Sequence, residues 1–361
     1  MLKQQKIFFD FLRFCIGSAK EIPESAKNAD WKELYAIAQK QALVGILFDG
    51  IQRLPSSDVG ISRDLLLQWM AQCQMLEKVN MRLNDAAIQV SEWFWKKGFR
   101  TCILKGQGNA LLYPNGLHRT PGDIDIWVEG GDKRVISFVR SISPHEKACY
   151  HHIEFPSYKG VEVEVHYRPS FLLCFWHNRR LQKYYERVKE EQFSHRVMLG
   201  EQGEMAIPTA EFNIIFQLTH IYAHLMNEGI GLRQLLDYYY VLISDDLLLI
   251  RDRVQKELKE LGLWKFAGGI MYIMQEVFGM PASRLIVPPN EKYGKFVLNE
   301  VLEAGNFGSY DKRNRFGKSQ LGHNLQRVYR DIRLVRYFPA EAMSEPFFRV
   351  WHFFWRLKHR R

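Results

Sequence analysis

The sequence predicts an α+β fold in which a small mixed sheet is embedded between N-terminal and C-terminal helical regions. Apolar residues recur at helical spacing over residues 1–97 and again from about residue 209. Between them, residues 98–208 contain short apolar or alternating runs closed by Gly and Pro, a pattern typical of strands and turns. Two further segments follow this core: a helical domain at 209–310 that completes a cleft, and a basic, aromatic tail at 311–361.

The N-terminal region is predicted to end in one long helix that Gly98 closes. The run FRTCILKG then predicts a short buried strand ending at Gly106, and the next helix stops at Pro114. GDIDIWVEGG predicts a second strand and DKRVISFVRSI a helix. HHIEFPSY and VEVEVHYRP predict two antiparallel strands joined by Lys159-Gly160.

The C-terminal half is predicted to be helical from Thr209 onward. Pro208-Thr209 followed by Glu211 is typical of a helix start with an acidic first turn. Helical periodicity continues through four runs: TAEFNIIFQLTHIYAHLMNEG, IGLRQLLDYYYVLI, DLLLIRDRVQKELKELG and LWKFAGGIMYIMQEVFG.

Composition and cysteine usage exclude several classes of protein. Hydrophobic residues make up 47% and charged residues 25% of the 361 residues, as expected of a folded chain with a large core. The sequence contains no run of eighteen apolar residues, so no membrane span is predicted. The N-terminus predicts an amphipathic helix rather than a signal peptide. The five cysteines form no C-x-x-C pair, which argues against zinc fingers. These features predict a cytoplasmic protein, or one peripheral to the inner membrane surface.

The net charge of +10 is concentrated in the tail. Residues 311–361 carry 13 Lys/Arg and 4 Asp/Glu, which leaves about +1 for the rest of the chain. We expect a helix whose aromatics pack on the body while its arginines are solvated. The alternatives are an acidic partner, an anionic membrane surface or nucleic acid. The arginines recur every third residue, at Arg327, Arg330, Arg333 and Arg336.

Two aspartates, Asp123 and Asp125, stand two residues apart in an apolar strand and therefore share one face. Such like charges repel, and a cation between them is the usual compensation. In VEVEVHYR, the same alternation places Glu162, Glu164 and His166 on one face. If the two strands are neighbours, a third carboxylate joins the pair, and the site suits Mg²⁺ or Mn²⁺.

A place for phosphate is predicted at the turn after the first strand. Gly106 ends that strand and leads into a helix, so backbone N–H groups can face an anion. Lys105 and Arg119 flank the turn and could contact phosphate oxygens.

The motif LKG…LLYP…R…GDIDIWV followed by EVH resembles the uncharacterised nucleotidyltransferase family of the DNA polymerase beta-type superfamily. The resemblance implies that Asp123, Asp125 and Glu164 are catalytic metal ligands, with Glu162 the rival for the third position. Gln107 departs from the Ser or Gly that usually follows the turn glycine. The predicted nucleotide-binding residues are Lys105, Gly106, Gln107, Arg119 and Gly122.

The segment HIYAHLMNEGIGLRQLLDYYYVL resembles the helical half of the family. His220 and His224 have the i, i+4 spacing of metal ligands but lack the Glu of H-E-x-x-H, which argues against zinc. Hydrogen bonding between helices and an Arg233–Asp237 pair are the ordinary alternative. The predicted substrate contacts are His166, Arg168, His224 and Asp237.

The resemblance implies a metal-dependent enzyme that moves a nucleoside monophosphate from an NTP, with ATP expected, to a hydroxyl group. The acceptor would be a small molecule, a sugar or a protein side chain. One alternative is a catalytically inactive nucleotide- or partner-binding protein on the same fold. A second is an RNA-modifying terminal transferase, against which the near-neutral body argues. Removing one of the two repelling aspartates is expected to raise the melting temperature without metal.

Overall fold

A computed structural model describes residues 3–55, 60–200, 203–244, 247–313 and 320–359 of the chain. Within these residues, a four-stranded mixed sheet lies among helices that precede and follow it along the chain. The predicted α+β class is therefore confirmed.

The N-terminal region is helical, as predicted, and its longest helix ends just before Gly98. That glycine has a φ of +81°, a left-handed conformation that terminates helices at little steric cost. Asp30 begins the second helix, because its side chain accepts hydrogen bonds from the Lys32 and Glu33 amides. The helices are α1 (Lys3–Cys15), α2 (Trp31–Lys40), α3 (Val44–Ile51) and α4 (Arg63–Lys96).

The α+β core follows the predicted order of strands and helices and adds elements that the sequence patterns did not indicate. These additions are α7 and the short hairpin of β5 and β6. The elements are β1 (Thr101–Ile103), α5 (Gln107–Ala110), β2 (Ile124–Val128), α6 (Gly131–Ile142), β3 (His152–Tyr158), β4 (Val161–His166), α7 (Phe175–Ser194), β5 (Arg196–Met198) and β6 (Glu204–Ala206).

The main sheet has the strand order β1-β2-β4-β3. β2 and β4 are parallel neighbours, while β1–β2 and β3–β4 are antiparallel pairs. The register of the central pair places Asp125 directly opposite Glu164. The two acidic strands are therefore neighbours, which is the condition under which the sequence placed a third carboxylate beside the two aspartates.

The two faces of β2 differ in what covers them. Ile124, Ile126 and Val128 are buried in a hydrophobic cluster with α4 and α6. On the opposite face, the Trp127 ring lies 5.7 Å from the ring of Phe212, which belongs to the first helix after the core. Asp125 shares that face because side chains alternate along a strand. The site residues of β2 are thus directed at the C-terminal helices.

The C-terminal helices begin where predicted, directly after Thr209. The first two are almost entirely buried and form the centre of the larger hydrophobic cluster. The helices are α8 (Ala210–Asn227), α9 (Leu232–Leu242), α10 (Leu247–Glu260), α11 (Trp264–Glu276), α12 (Glu291–Ala304), α13 (Gln320–Leu334) and α14 (Pro339–Lys358). Among the described helices, none has the length and apolarity that crossing a membrane requires.

The tail packs on the body through one face of α14. The Phe348 ring stacks on Phe171 at 5.1 Å, and Glu341 accepts hydrogen bonds from the amides of Leu173 and Cys174. The outer face is solvated, since Phe347 is 78% and Phe354 is 62% exposed. A partner of the tail remains a prediction. Such a partner would contact this exposed face of α14.

Two arginines of α13 differ from the expected solvated stripe. Arg330 is only 6% exposed and donates to the Glu228 carbonyl at 3.3 Å. Arg333 donates to Glu300 at 3.0 Å. Two of the four arginines thus hold the tail to the body instead of facing solvent, because their helix lies against α8 and α12.

The two faces of α14 give a matched prediction. Phe348→Ala is expected to lower the free energy of unfolding by about 2 kcal/mol, because the stacked contact with Phe171 is lost. Phe354→Ala should change it by less than about 0.5 kcal/mol, as for an exposed side chain. Urea unfolding of both variants measures the difference, and equal losses would contradict the assigned orientation of the helix.

Candidate active site

The turn after β1 is built around Gly106. Its φ of +58° is a backbone conformation that glycine adopts without strain, and a side chain there would contact the Asp123 carbonyl at 3.5 Å. The Leu104 amide donates to the Asp125 carbonyl at 3.0 Å, which ties the turn to β2. Lys105 is therefore fixed beside the acidic strand. The helix that follows, α5, is only one turn long.

Asp125 is buried and lies between two cationic side chains. Its Oδ1 is 2.9 Å from His166 Nε2, and its Oδ2 is 3.1 Å from Lys105 Nζ. Among the described residues, no group hydrogen-bonds Oδ2 with suitable geometry despite that proximity. Lys105 and His166 thus offset the repulsion between the aspartates without satisfying every carboxylate oxygen.

Three carboxylates converge at this point of the sheet. Asp123 directly precedes β2, and Glu164 faces Asp125 across the β2–β4 pair. Asp123, Asp125 and Glu164 each offer an oxygen, and these atoms all lie within 4.8 Å of one another. Glu162 is exposed and belongs to none of the potential metal groups found in the described part of the chain.

The carboxylates open into a cavity of about 390 Å³ between the sheet and α8. That volume lies within the range of small-molecule sites. A narrower polar pocket adjoins it and shares Lys105, Asp123, Asp125 and His220. The cavity is lined in addition by histidines of β3, β4 and α8 and by the residue before β3, namely His151, His152, His166, His220 and His224.

The two aspartates differ in their electrostatics. The charge of Asp125, together with burial, raises the pKa of Asp123 to about 6. Burial also acts to raise the pKa of Asp125, but Lys105 and His166 outweigh it and hold that pKa well below its usual range. Burial opposes ionisation of Glu164 as well, and the hydrogen bond from His166 brings its pKa below the ordinary value. Asp123 is therefore the carboxyl group that titrates nearest to neutrality.

The cations of the site are stabilised in turn. Burial acts to lower the pKa of His166, yet its hydrogen bonds to Asp125 and Glu164 raise the pKa to about 9. The pKa of Lys105 is also raised, because the surrounding carboxylates outweigh its burial. His220, 3.3 Å from Lys105, has a pKa well below its usual range because it is buried next to that ammonium group. At pH 7 the cluster thus combines three acids, two cations and a neutral histidine.

The model of a family described as "Uncharacterised nucleotidyltransferase" matches residues 27–279 of the chain. The chain belongs to this family. The matched region contains the whole sheet, the three carboxylates and helices α8 and α9, whereas the tail lies outside it. No curated protein and no solved structure matches the chain.

In this nucleotidyltransferase chain, Arg119 makes an internal ion pair. It donates two hydrogen bonds of 2.7 Å to the carboxylate of Asp237, and both side chains are buried. The Arg233–Asp237 pair, which the sequence allowed as the ordinary alternative, is therefore not the bonded pair among the described residues. Arg233 instead donates to the carbonyls of Thr120 and Pro121. Arg119 and Asp237, with Gly122, line the narrower pocket, where they join the loop before β2 to α9.

Two of the predicted contacts, Gln107 and Arg168, line neither pocket. The buried Gln107 side chain hydrogen-bonds to Asn84 of α4. Arg168 pairs with Asp132 at 2.8 Å and lies over the Tyr150 ring. Both corrections have the same cause: a polar side chain next to a motif was satisfied by a neighbour that is distant in sequence.

Sequence patterns missed two histidines that the structure places at the site. His151 and His152 line the cavity, and His152 pairs with His166 in the β3–β4 register. The adjacent histidines at the start of HHIEFPSY are visible in the sequence. Their place at the site follows only once the pairing of β3 with β4 is known. His224 reaches the cavity as predicted and pairs with Glu228 at 2.5 Å.

The raised pKa of Asp123 gives a prediction for metal affinity. Because protons compete with a cation at this carboxylate, Mn²⁺ affinity should fall about tenfold per pH unit below about 6. Metal affinity falls as the pH falls because, in the metal-free protein, Asp123 holds its proton up to a higher pH than an ordinary aspartate. Titration of Mn²⁺ by water-proton relaxation between about pH 5 and 8 measures the effect. An affinity that stays constant across this range would contradict the assignment of Asp123 as a ligand.

Proposed function

We propose that the protein is a metal-dependent nucleotidyltransferase that transfers a nucleoside monophosphate from an NTP to a hydroxyl acceptor. The observation that carries the proposal is the register of β2 against β4, which brings Glu164 level with Asp125 and beside Asp123. The family supports nucleotidyl transfer as the reaction class. Membership of the DNA polymerase beta-type superfamily is part of the proposal.

The donor set fits Mg²⁺ or Mn²⁺. All three groups are carboxylates, which hard divalent cations prefer, and the buried Oδ2 of Asp125 has no hydrogen bond among the described residues. When bound, such an ion polarises the transferring phosphoryl group and neutralises the leaving pyrophosphate. Asp123, Asp125 and Glu164 are the residues that would hold it.

The surrounding side chains have separate tasks in this proposal. His166 fixes the orientation of Asp125 through a hydrogen bond of 2.9 Å, and Lys105 supplies positive charge beside it. Gly106 lets the turn adopt its positive φ of +58° without strain, next to the residue that precedes β2. In the reaction, the acceptor oxygen bonds to the α-phosphorus while the bond to pyrophosphate breaks, so fixed cations next to the phosphates stabilise the developing charge.

The volume and lining of the cavity limit the size and chemistry of the substrates but do not identify them. Its volume of about 390 Å³ accommodates a nucleotide, with ATP the expected donor. Lys105 lines both pockets, and Gly106, Arg119 and Gly122 line the narrower one. The acceptor remains a hydroxyl of a small molecule, a sugar or a protein side chain.

Two alternative functions are less well supported than nucleotidyl transfer. A catalytically inactive binding protein would not require three carboxylates held at one point by two cations. An RNA-modifying terminal transferase would need a basic track along the body, whereas the chain outside residues 311–361 has a formal charge of about +1.

The proposal is tested by incubating the purified protein with Mg²⁺ or Mn²⁺, each labelled NTP and a metabolite extract. We expect pyrophosphate release that depends on the metal and on a component of the extract, together with a labelled product. Asp125→Asn serves as the inactive control. Metal-dependent NTP binding without release in any extract would favour the inactive binding protein instead.

A further inference from the structure

Two imidazoles flank Glu164 on the same face of the sheet. The β3–β4 register places His152 directly opposite His166, and Glu164 lies two residues before His166 on β4. Adjacent strands and the two-residue period thus fix all three side chains through backbone hydrogen bonds. The three residues lie on strands of the sheet and not in a loop, so the pairing of the strands holds them in place.

The donor atoms of this cluster converge on one oxygen. His152 Nδ1 lies 3.3 Å and His166 Nε2 lies 3.4 Å from Glu164 Oε2. Two ligands about 2.1 Å from a tetrahedral ion are separated by roughly 3.4 Å. The three donors also lie within 4.8 Å of one another. The two nitrogen–oxygen distances therefore match those expected in a mononuclear site with two nitrogen ligands and one oxygen ligand.

We propose that His152, Glu164 and His166 bind a divalent transition-metal ion, with Zn²⁺ the best fit. Imidazole nitrogens suit zinc and its neighbours, whereas Mg²⁺ prefers oxygen ligands. The ion is distinct from the one proposed at Asp123 and Asp125, although Glu164 serves both. The inference rests on the proposed function through Glu164 and through His166, whose Nε2 also contacts Asp125.

The location of the cluster suggests what the ion does. All three ligands line the cavity that also contains Asp123 and Asp125. Sites with two histidines and one carboxylate are typical of catalytic zinc, which keeps a coordination position open for water or substrate. An oxygen of the acceptor or of the nucleotide can complete the coordination here. The ion would bind that oxygen next to the phosphoryl-transfer site.

Two sulfur-containing groups compete for the same kind of ion and are less suitable. Cys149 neighbours His151 and His152, but burial raises the pKa of its thiol to about 11, and the thiolate is the form that binds metals. Cys174 and His177 group with Glu341, whose Oε2 already accepts two backbone amides. The nitrogen–oxygen cluster contains no thiol. Zinc binding there would displace the proton that His166 Nε2 donates to Asp125, leaving Lys105 as the cationic partner of that carboxylate.

The test uses Co²⁺ as a spectroscopic substitute for zinc, titrated into the full chain in excess Mg²⁺. We expect one Co²⁺ per chain, with visible bands of a nitrogen–oxygen site and no thiolate charge-transfer band in the near ultraviolet. His152→Ala should lower Co²⁺ and Zn²⁺ affinity at least about a hundredfold. The matched control is His145→Ala, since His145 is exposed and outside the cluster.

Three outcomes would overturn the inference. These are unchanged affinity in His152→Ala, displacement of Co²⁺ by Mg²⁺, and a thiolate band that Cys149→Ser removes. Should His152→Ala fold poorly, His152→Gln and His166→Gln replace it, and thermal unfolding checks each variant. Asp123→Asn separates the two proposals: it should abolish Mg²⁺-dependent NTP binding and retain Co²⁺ binding. Loss of Co²⁺ binding alone leaves the proposed function standing.

Discussion

Asp125→Asn is expected to abolish Mg²⁺-dependent NTP binding and, without metal, to destabilise the fold. An amide is a much weaker ligand than a carboxylate for a hard cation, so the metal and the nucleotide it holds are lost together. The side chain also neutralises Lys105 at 3.1 Å and His166 at 2.9 Å in a buried setting. Removing its charge leaves both cations without their main partner, which should cost roughly 3 kcal/mol of unfolding free energy.

Asp123→Asn is the matched variant, and its stability should change in the opposite direction. The pKa of Asp123 is raised to about 6, so its ionised form is disfavoured in the folded, metal-free protein. Above pH 6 the substitution removes a repelling charge and should stabilise the fold by about 1–2 kcal/mol. This gain should fade as pH falls from 6 to about 4, because the native carboxyl group is then protonated as well.

Urea unfolding in the presence of a chelator measures both variants, at about pH 8 and pH 4. Nucleotide binding is measured separately with excess Mg²⁺ and a non-hydrolysable NTP. Both variants should lose metal-dependent NTP affinity, while only Asp123→Asn gains stability at pH 8. A gain for Asp125→Asn would show that Lys105 and His166 do not depend on its charge.

The sequence pattern treated the two aspartates as equivalent and predicted that losing either one would stabilise the protein. For Asp125 this expectation is replaced by its opposite, because the β1–β2 pairing brings Lys105 to it and the β2–β4 pairing brings His166. Neither partner is visible in the spacing of two acids along one strand. Whether the substitution stabilises or destabilises the protein therefore depends on the residues that surround the aspartate in the folded structure.

What could be predicted was local. Alternation along VEVEVHYR, the turn glycine Gly106 and the pair Asp123 and Asp125 each follow from the geometry of a few consecutive residues. The structure confirms the strands and the turn that these patterns indicated. Family resemblance added the order in which these pieces occur, which a two-residue period cannot supply.

What could not be predicted depends on contacts between distant segments. His152 joins Glu164 only because β3 pairs with β4, and Arg119 is bound by Asp237 from a helix more than a hundred residues away. Arg330 was expected in solvent but packs against the end of α8. In each case the deciding partner is set by tertiary packing, and the residue type alone permitted several outcomes.

The contrast between Glu164 and Glu162 tests the geometry of the site most directly. Both side chains point to the same face of β4 and lie roughly 6–7 Å apart along it, so they cannot occupy the same position relative to Asp125. The register places Glu164 opposite Asp125, and its oxygen lies in the three-carboxylate group. Glu162 is exposed and has room to keep its own hydration.

Glu164→Gln is therefore expected to lower turnover at least about a thousandfold, which corresponds to about 4 kcal/mol of lost transition-state stabilisation. Glu162→Gln should lower it less than about tenfold. Pyrophosphate release at saturating Mg²⁺ and NTP measures both, and circular dichroism checks that each variant is folded. Since the substitution and the strand are the same, the two variants differ in their position relative to Asp125 and in the exposure that goes with it. A reversed order would mean that β4 is displaced along β2 by two residues, and the carboxylates would then not converge where a cation needs them.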